Sequence, residues 1–244
     1  MEKQPLQDVP TISNYALREA VGWIGMLLPF VLWIGGALLG EPSPNSSISY
    51  YYYSGMGDLF VGSLCVLGVF FLVYRGYGTE GHPLFNDLYV AKITGVSVLL
   101  VALVPTGRKP EEVWLCDETV HGRILCWAEK YLGSLQQTVH LFSAILFLTC
   151  LAVFCLYLFP KSDQARSEFS PKKRIRKQLY RAMGWVILGS MALAGLSIAF
   201  EDKVPTYAVF VFESFAVIAF GVAWFVKSQR LGVLYESGER RRWE

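Results

Sequence analysis

The sequence predicts an all-α integral membrane protein, a bundle of six transmembrane helices with its amino and carboxyl termini in the cytoplasm. Of the 244 residues, 53% are hydrophobic and only 17% are charged, whereas about a quarter of the residues of a soluble domain are charged. The apolar residues also come in blocks long enough to cross a hydrocarbon core about 30 Å thick. We therefore expect one transmembrane domain over residues 1–244.

Six apolar blocks are the predicted spans. They cover residues 20–39, 57–74, 90–104, 139–159, 184–200 and 207–226. The third block is short, but Lys92 can extend its ammonium group to the interface from within it, and Pro105 marks its end. Residues 105–138 interleave aromatic and charged side chains, which indicates an amphipathic loop that caps the outside of the bundle. In the fifth block, the small residues from Gly189 to Ser197 indicate a face where helices approach closely.

The distribution of Lys and Arg predicts the orientation. These residues are concentrated in the segment 161–181 and after residue 226, whereas residues 40–56 contain none. Basic loops remain in the cytoplasm, so residues 40–56 are predicted to face outward from a bacterial inner membrane. Ser170 is a suitable cap for a helix through the basic segment. We expect this segment to bind anionic lipid, at about 1 kcal/mol per cation, and nothing indicates nucleic-acid binding.

Two cysteines fall in the predicted outer loop. Cys116 and Cys126 would face an oxidising compartment, so a disulfide between them is expected. A zinc site with His121 is the alternative, but it lacks a fourth protein ligand.

A run of four tyrosines precedes the second span, and ionisable residues lie at similar depth in three spans. Asp58 opens the second span, His140 opens the fourth, and Glu213 lies about 9 Å into the sixth. These spans all run inward from the outer face, and ionisable groups in a membrane are costly enough to indicate function. We therefore predict a polar ligand-binding pocket near the outer leaflet. Its candidate residues are Asp58, His140, Glu213, Tyr51, Tyr52, Ser54, Ser143 and Arg108.

Structural roles are open for the same residues. Asp58 can cap its helix, His140 can bond a neighbouring carbonyl group, and the tyrosines can form an interfacial aromatic belt. Two tyrosines are assigned to the belt and two to the pocket. Which two depends on whether the stretch is helical or strand-like.

The predicted function is the binding, sensing or carriage of a lipid or small amphipathic ligand, with proton linkage through Glu213 and His140 as one form of it. The alternative is a lipid hydrolase that uses a divalent metal ion held by Asp58, His140 and Glu213. A structural or assembly role is the third hypothesis. The sequence contains no nucleotide-binding loop, no His-Glu-x-x-His and no Gly-x-Ser-x-Gly motif.

Three pieces of sequence carry a family resemblance. They begin at Ser47-Ile48-Ser49, at Val139-His140 and at Glu213-Ser214, and they extend to residues 62, 147 and 224. These pieces resemble a group of uncharacterised bacterial six-span membrane proteins, which implies the architecture alone. The chain is more loosely similar to alkaline ceramidases and adiponectin-receptor-like membrane hydrolases. Those proteins have seven spans and a zinc ion on three histidines, whereas His140 is the one histidine in a predicted span here.

Overall fold

In a computed structural model, the described part of the chain is built mainly from six α-helices. The structure describes residues 14–41, 43–74, 86–107, 131–161 and 170–235. The helices are α1 (Asn14–Leu38), α2 (Gly57–Val73), α3 (Asp87–Leu103), α4 (Leu135–Val153), α5 (Pro171–Ala199) and α6 (Ala208–Lys227). A 3₁₀ turn at Ser49–Tyr53 precedes α2, and a π-helical turn at Phe154–Leu158 continues α4.

Four of these helices are long and apolar enough to cross a membrane. They are α1, α4 with its π-helical turn, α5 and α6. The helix α2 is apolar but has only 17 residues, and α3 has the same length. The prediction of an all-α membrane protein is therefore confirmed at the level of six helices and four candidate spans.

The helices α2, α3 and α6 begin and end within three residues of the predicted spans, whereas α1 begins six residues earlier and α5 begins 13 residues earlier. This helix begins at Pro171 and includes the basic segment that separates two predicted spans. Ser170 accepts a hydrogen bond from the backbone N–H of Lys173 at 3.3 Å, and proline fits the first turn of a helix. The predicted cap at Ser170 is confirmed. The residues 108–130 of the predicted outer loop lie outside the described residues.

The helices pack in chain order, and α6 returns to pack against α1. Glycines permit the closest approaches. A Cβ atom on Gly221 of α6 would lie 2.5 Å from the backbone nitrogen of Met26 in α1, and one on Gly95 of α3 would lie 2.9 Å from the carbonyl oxygen of Gly68 in α2. Backbone therefore meets backbone at the crossing of α6 with α1, whereas at the crossing of α3 with α2 the side chain of Leu72 also lies 2.9 Å from the position of the added Cβ atom.

The close approach predicted for the small residues of α5 is wrong for its glycines. A Cβ atom on Gly189 or Gly195 would meet nothing within 4 Å, whereas Ser190 and Ser197 on the same helix are buried. The spacing of small residues in α5 permits a close approach by another helix. It does not show whether another helix lies beside Gly189 and Gly195.

The bundle has two chemically different ends. The tyrosine end comprises residues 39–56, 104–107, 131–136 and 200–207, and the basic end comprises residues 14–19, 73–74, 86–90, 158–161, 170–181 and 227–235. Between them, toward the basic end, the fully buried Trp224 is surrounded by aromatic rings at centroid distances from 5.1 to 5.9 Å. The rings around it are Phe70, Phe71, Tyr74, Phe154, Phe159 and Phe220.

Candidate functional site

The four tyrosines form a 3₁₀ turn directly before α2. Tyr51 is completely buried, whereas Tyr50, Tyr52 and Tyr53 are partly exposed. The rings of Tyr50 and Tyr52 each lie edge-on to that of Tyr53, with centroids 5.5 and 5.6 Å apart. The stretch is thus helical, and it turns one ring into the bundle while it keeps three at the surface.

Tyr51 fixes the polypeptide that leads into the turn. Its hydroxyl group lies 3.0 Å from the hydroxyl oxygen of Ser43 and accepts a hydrogen bond from the backbone N–H of Asn45 at 3.3 Å. Ser43 in turn donates to the carbonyl group of Trp33 in α1 at 2.5 Å. The ring of Tyr51 packs against Phe210 of α6 at 5.8 Å. Tyr51, predicted to bind ligand, therefore holds the loop between two helices.

Glu213 of α6 binds the amino end of the same 3₁₀ turn. Its carboxyl oxygen accepts the backbone N–H of Ile48 at 2.6 Å, and the backbone N–H of Ser49 also donates to the carboxyl group. The first amides of a helical turn have no partner within the turn, and leaving such groups unpaired in an apolar environment is costly. Glu213 is thus placed to satisfy these donors, and the backbone N–H of Phe210 donates to Ser46 nearby at 3.0 Å.

At the carboxyl end of α3, side chains satisfy backbone carbonyl groups. The helix ends before Pro105, and Nδ1 of His140 lies 2.6 Å from the carbonyl oxygen of Val104. The side-chain amide of Gln136 donates to the carbonyl groups of Pro105 and Thr106 at 3.1 and 3.3 Å. The hydroxyl group of Tyr53 also donates to Thr106. These donors take the place of the helical N–H groups that are missing beyond the end of α3.

The bond of His140 fixes its hydrogen position. A carbonyl oxygen can only accept, so Nδ1 carries a hydrogen and Nε2 is the acceptor of the neutral ring. The side chain is 4% exposed, and Ser143, also buried, lies one turn farther along α4. His140 therefore has the structural role that the sequence analysis left open, because it donates a hydrogen bond to a neighbouring carbonyl group.

Asp58 and Ser54 occupy the start of α2. Asp58 is exposed in the first turn, where a negative charge complements the helix dipole. The hydroxyl group of Ser54 donates to the carbonyl group of Tyr51 at 2.8 Å and accepts the backbone N–H of Met56 at 3.1 Å. Ser54 thus stabilises the junction between the tyrosine turn and α2.

The structure does not bring the predicted acid, imidazole and second acid together as one metal-binding set. Over the described parts of the chain, no group of three or more His, Cys, Asp or Glu side chains is placed to hold a metal ion. The physical reason is that His140 is directed to Val104 and Glu213 to Ile48, while Asp58 lies at the surface. Arg108 and the predicted disulfide partners Cys116 and Cys126 lie outside the described residues.

The sequence analysis assigned no role to two polar residues of this end. Gln136 precedes His140 by four residues, so both lie on one face of α4 near the end of α3; that spacing was a usable signal. Glu41 accepts the backbone N–H of Gly55 at 2.7 Å through Oε1, and its Oε2 is buried with no partner among the described residues. The sequence indicated its position beyond α1 but not this contact.

Comparison with protein-family models, with curated proteins and with solved structures finds no match for this chain. The resemblance to six-span bacterial membrane proteins therefore stays a prediction. The findings identify a helical protein with four candidate membrane spans, and any functional assignment must come from the geometry of its own residues.

Proposed function

We propose that this protein is a six-span integral membrane protein of a bacterial inner membrane that binds a lipid headgroup or another small amphipathic molecule at its tyrosine end. In this arrangement α2 and α3 also cross the bilayer, since 17 residues is at the lower limit for a span. The tyrosine end faces outward and the basic end faces the cytoplasm, as the distribution of Lys and Arg favours.

The observation that carries the proposal is a division of roles at the tyrosine end. Buried polar side chains hold backbone groups: Glu213 binds amides, while His140 and Gln136 bind carbonyl groups. The surface of the same segment carries the exposed carboxyl group of Asp58 and partly exposed tyrosine rings. A surface whose backbone is fixed in advance loses little conformational entropy when it binds a ligand.

The chemistry of this surface indicates the class of ligand. Tyr50, Tyr52 and Tyr53 carry partly exposed aromatic rings, which suit the boundary between acyl chains and water. Asp58 adds a negative charge within ten residues of them in the chain, and aromatic rings also attract cations. A molecule with an apolar body and an amine-bearing headgroup matches both features. Phosphatidylethanolamine is a lipid of this kind.

The test is a titration of the purified full-length chain with short-chain phosphatidylethanolamine, followed by calorimetry. We expect saturable binding that Asp58→Asn and Tyr52→Leu each weaken about tenfold, or about 1.4 kcal/mol. The matched control is Tyr51→Phe, which removes a hydroxyl group that bonds Ser43 and Asn45. This variant should lose stability and keep its affinity for the lipid.

Binding that is equal in the wild type, Asp58→Asn and Tyr52→Leu would contradict the proposal. A second candidate, a structural role in the membrane, is favoured by one observation: His140, Gln136, Glu213 and Ser54 all bond backbone groups of their own chain. That role predicts no saturable binding in the wild type and a loss of stability alone in the variants of these four residues.

A further inference from the structure

The carboxyl group of Glu41 has a hydrogen-bond donor for only one of its two oxygens. Glu41 lies just beyond the end of α1, and its Oε1 accepts the backbone N–H of Gly55 at 2.7 Å. Its Oε2 is buried and has no partner among the described residues. An ionised carboxyl group can only accept hydrogen bonds, and an oxygen removed from water without a donor is costly. A donor supplied by a ligand would remove this cost.

Three other buried polar side chains at the tyrosine end have partners within the chain. Glu213 accepts from a backbone amide, while His140 and Gln136 donate to backbone carbonyl groups. In the part of the chain that the structure describes, the other buried side-chain atom without a partner is Nε1 of Trp224, which lies in the aromatic core. Over the same residues, Oε2 of Glu41 is therefore the one buried side-chain oxygen that lacks a donor.

Glu41 lies beside the surface that is proposed to bind the lipid headgroup. Its partner Gly55 is part of the junction between the tyrosine turn (Ser49–Tyr53) and α2. Asp58 comes three residues after Gly55, so the Cα atoms of these two residues are at most about 11 Å apart. The junction is thus flanked by two carboxyl groups: that of Glu41 is held by the backbone, and that of Asp58 is exposed.

The carboxyl group of Glu41 is close to the protein surface. Gly55 is exposed and has no side chain. A Cβ atom placed on Gly55 would lie 3.1 Å from Oε1 of Glu41 and 2.9 Å from Cδ1 of Leu39, so the end of Leu39 lies beside the carboxyl group. The side chain of Leu39 is 59% exposed, and exposed side chains change rotamer rapidly. A rotamer change at Leu39 would uncover this side of the carboxyl group while the backbone stays in place.

We propose that Glu41 selects an ethanolamine headgroup, because its Oε2 accepts a hydrogen bond from the primary ammonium group of the lipid. This inference rests on the function proposed for the tyrosine end, and it names the residue that determines specificity there. A primary ammonium group has three N–H donors, whereas the trimethylammonium group of choline has none. Asp58 and the tyrosine rings attract both headgroups, through charge and through cation–π contacts. Glu41 distinguishes the two headgroups because ethanolamine can donate to Oε2 and choline cannot.

The experiment compares phosphatidylethanolamine and phosphatidylcholine with identical short acyl chains. Each lipid is titrated by calorimetry into the full-length protein in a mild uncharged detergent. We expect the wild type to bind phosphatidylethanolamine about tenfold more tightly, which is the lower end of what one hydrogen bond to a charged group contributes. In Glu41→Gln this preference should be lost, because the affinity for phosphatidylethanolamine falls to about that for phosphatidylcholine. The matched control Asp58→Asn, which removes an exposed charge, should weaken the binding of both lipids and keep the preference.

Glu41→Gln also separates ligand binding from folding. The side-chain oxygen of glutamine can still accept the N–H of Gly55. Without lipid, this variant should unfold at the temperature of the wild type or higher, since a neutral amide is less costly to bury than a carboxylate.

Two outcomes would overturn the inference and leave the proposed function standing: equal affinity of the wild type for the two lipids, or a preference that survives in Glu41→Gln. If the wild type binds neither lipid saturably, the proposed function itself is wrong, and the inference fails with it.

Discussion

Replacement of Gly221 by alanine tests the packing of α6 on α1. The added Cβ atom would lie 2.5 Å from the backbone nitrogen of Met26 and 2.8 Å from the carbonyl oxygen of Gly22, whereas ordinary contacts begin at 3.4 Å. Both neighbours are backbone atoms of one helix, so no side chain can move aside and the helices must separate by about 1 Å. Such overpacking costs about 1–3 kcal/mol, and the higher helix propensity of alanine offsets about 1 kcal/mol.

The matched control is Gly189→Ala in α5, where the new Cβ atom meets nothing within 4 Å. We expect Gly221→Ala to lower the free energy of unfolding by up to about 2 kcal/mol and Gly189→Ala to raise it by up to about 1 kcal/mol. The assay is equilibrium unfolding in mixed micelles of a mild detergent and sodium dodecyl sulfate. The packing argument fails if Gly221→Ala is as stable as Gly189→Ala.

The remaining predictions concern the tyrosine end and the aromatic core. Glu213→Ala should lower the free energy of unfolding by about 2–4 kcal/mol because two backbone amides lose their acceptor, and Glu213→Gln should lower it by less. In Glu213→Ala, hydrogen exchange at the amides of Ile48 and Ser49 should become faster. Amides that stay protected in this variant would contradict the prediction. Trp224→Ala should cost about 3–5 kcal/mol, measured by the same unfolding assay. The control is Trp23→Ala, which should lower the free energy of unfolding far less because the side chain of Trp23 is 45% exposed. Equal losses in the two variants would contradict the prediction that Trp224 is central to the packing of the core.

Much of the fold follows from the sequence because it depends on long apolar runs. The boundaries of α2 and α6 match the predicted spans to within a residue, and Ser170 with Pro171 gives a local signal for the start of α5. The sequence predicted a helix through the basic segment and a separate span from residue 184, but not that the two form one continuous helix of 29 residues. A helix continues through charged residues when they extend beyond the bilayer.

The candidate site was harder to predict because contacts across the bundle set the role of each polar side chain. Depth along the spans predicted that Glu213 and His140 lie close to the tyrosine stretch. It could not show that they bind the backbone of Ile48 and Val104. The direction of a side chain around its helix relative to a neighbouring loop is a tertiary property. The same limit applies to Gly189. The sequence shows that this residue is small, but only the folded structure shows that nothing lies within 4 Å of a Cβ atom added there.

The six-span arrangement with the tyrosine end outside is the claim on which the functional proposal depends. It is tested most directly by labelling intact cells with a membrane-impermeant maleimide, after replacement of the native cysteines by serine. Single cysteines would be placed at Ser134 before α4, Tyr89 at the start of α3 and Gln178 in α5, all exposed side chains. Labelling at Ser134 in intact cells, with Tyr89 and Gln178 labelled only after the membrane is opened, is the predicted result. Labelling of Tyr89 in intact cells would contradict it, since α2 and α3 would then not cross the bilayer.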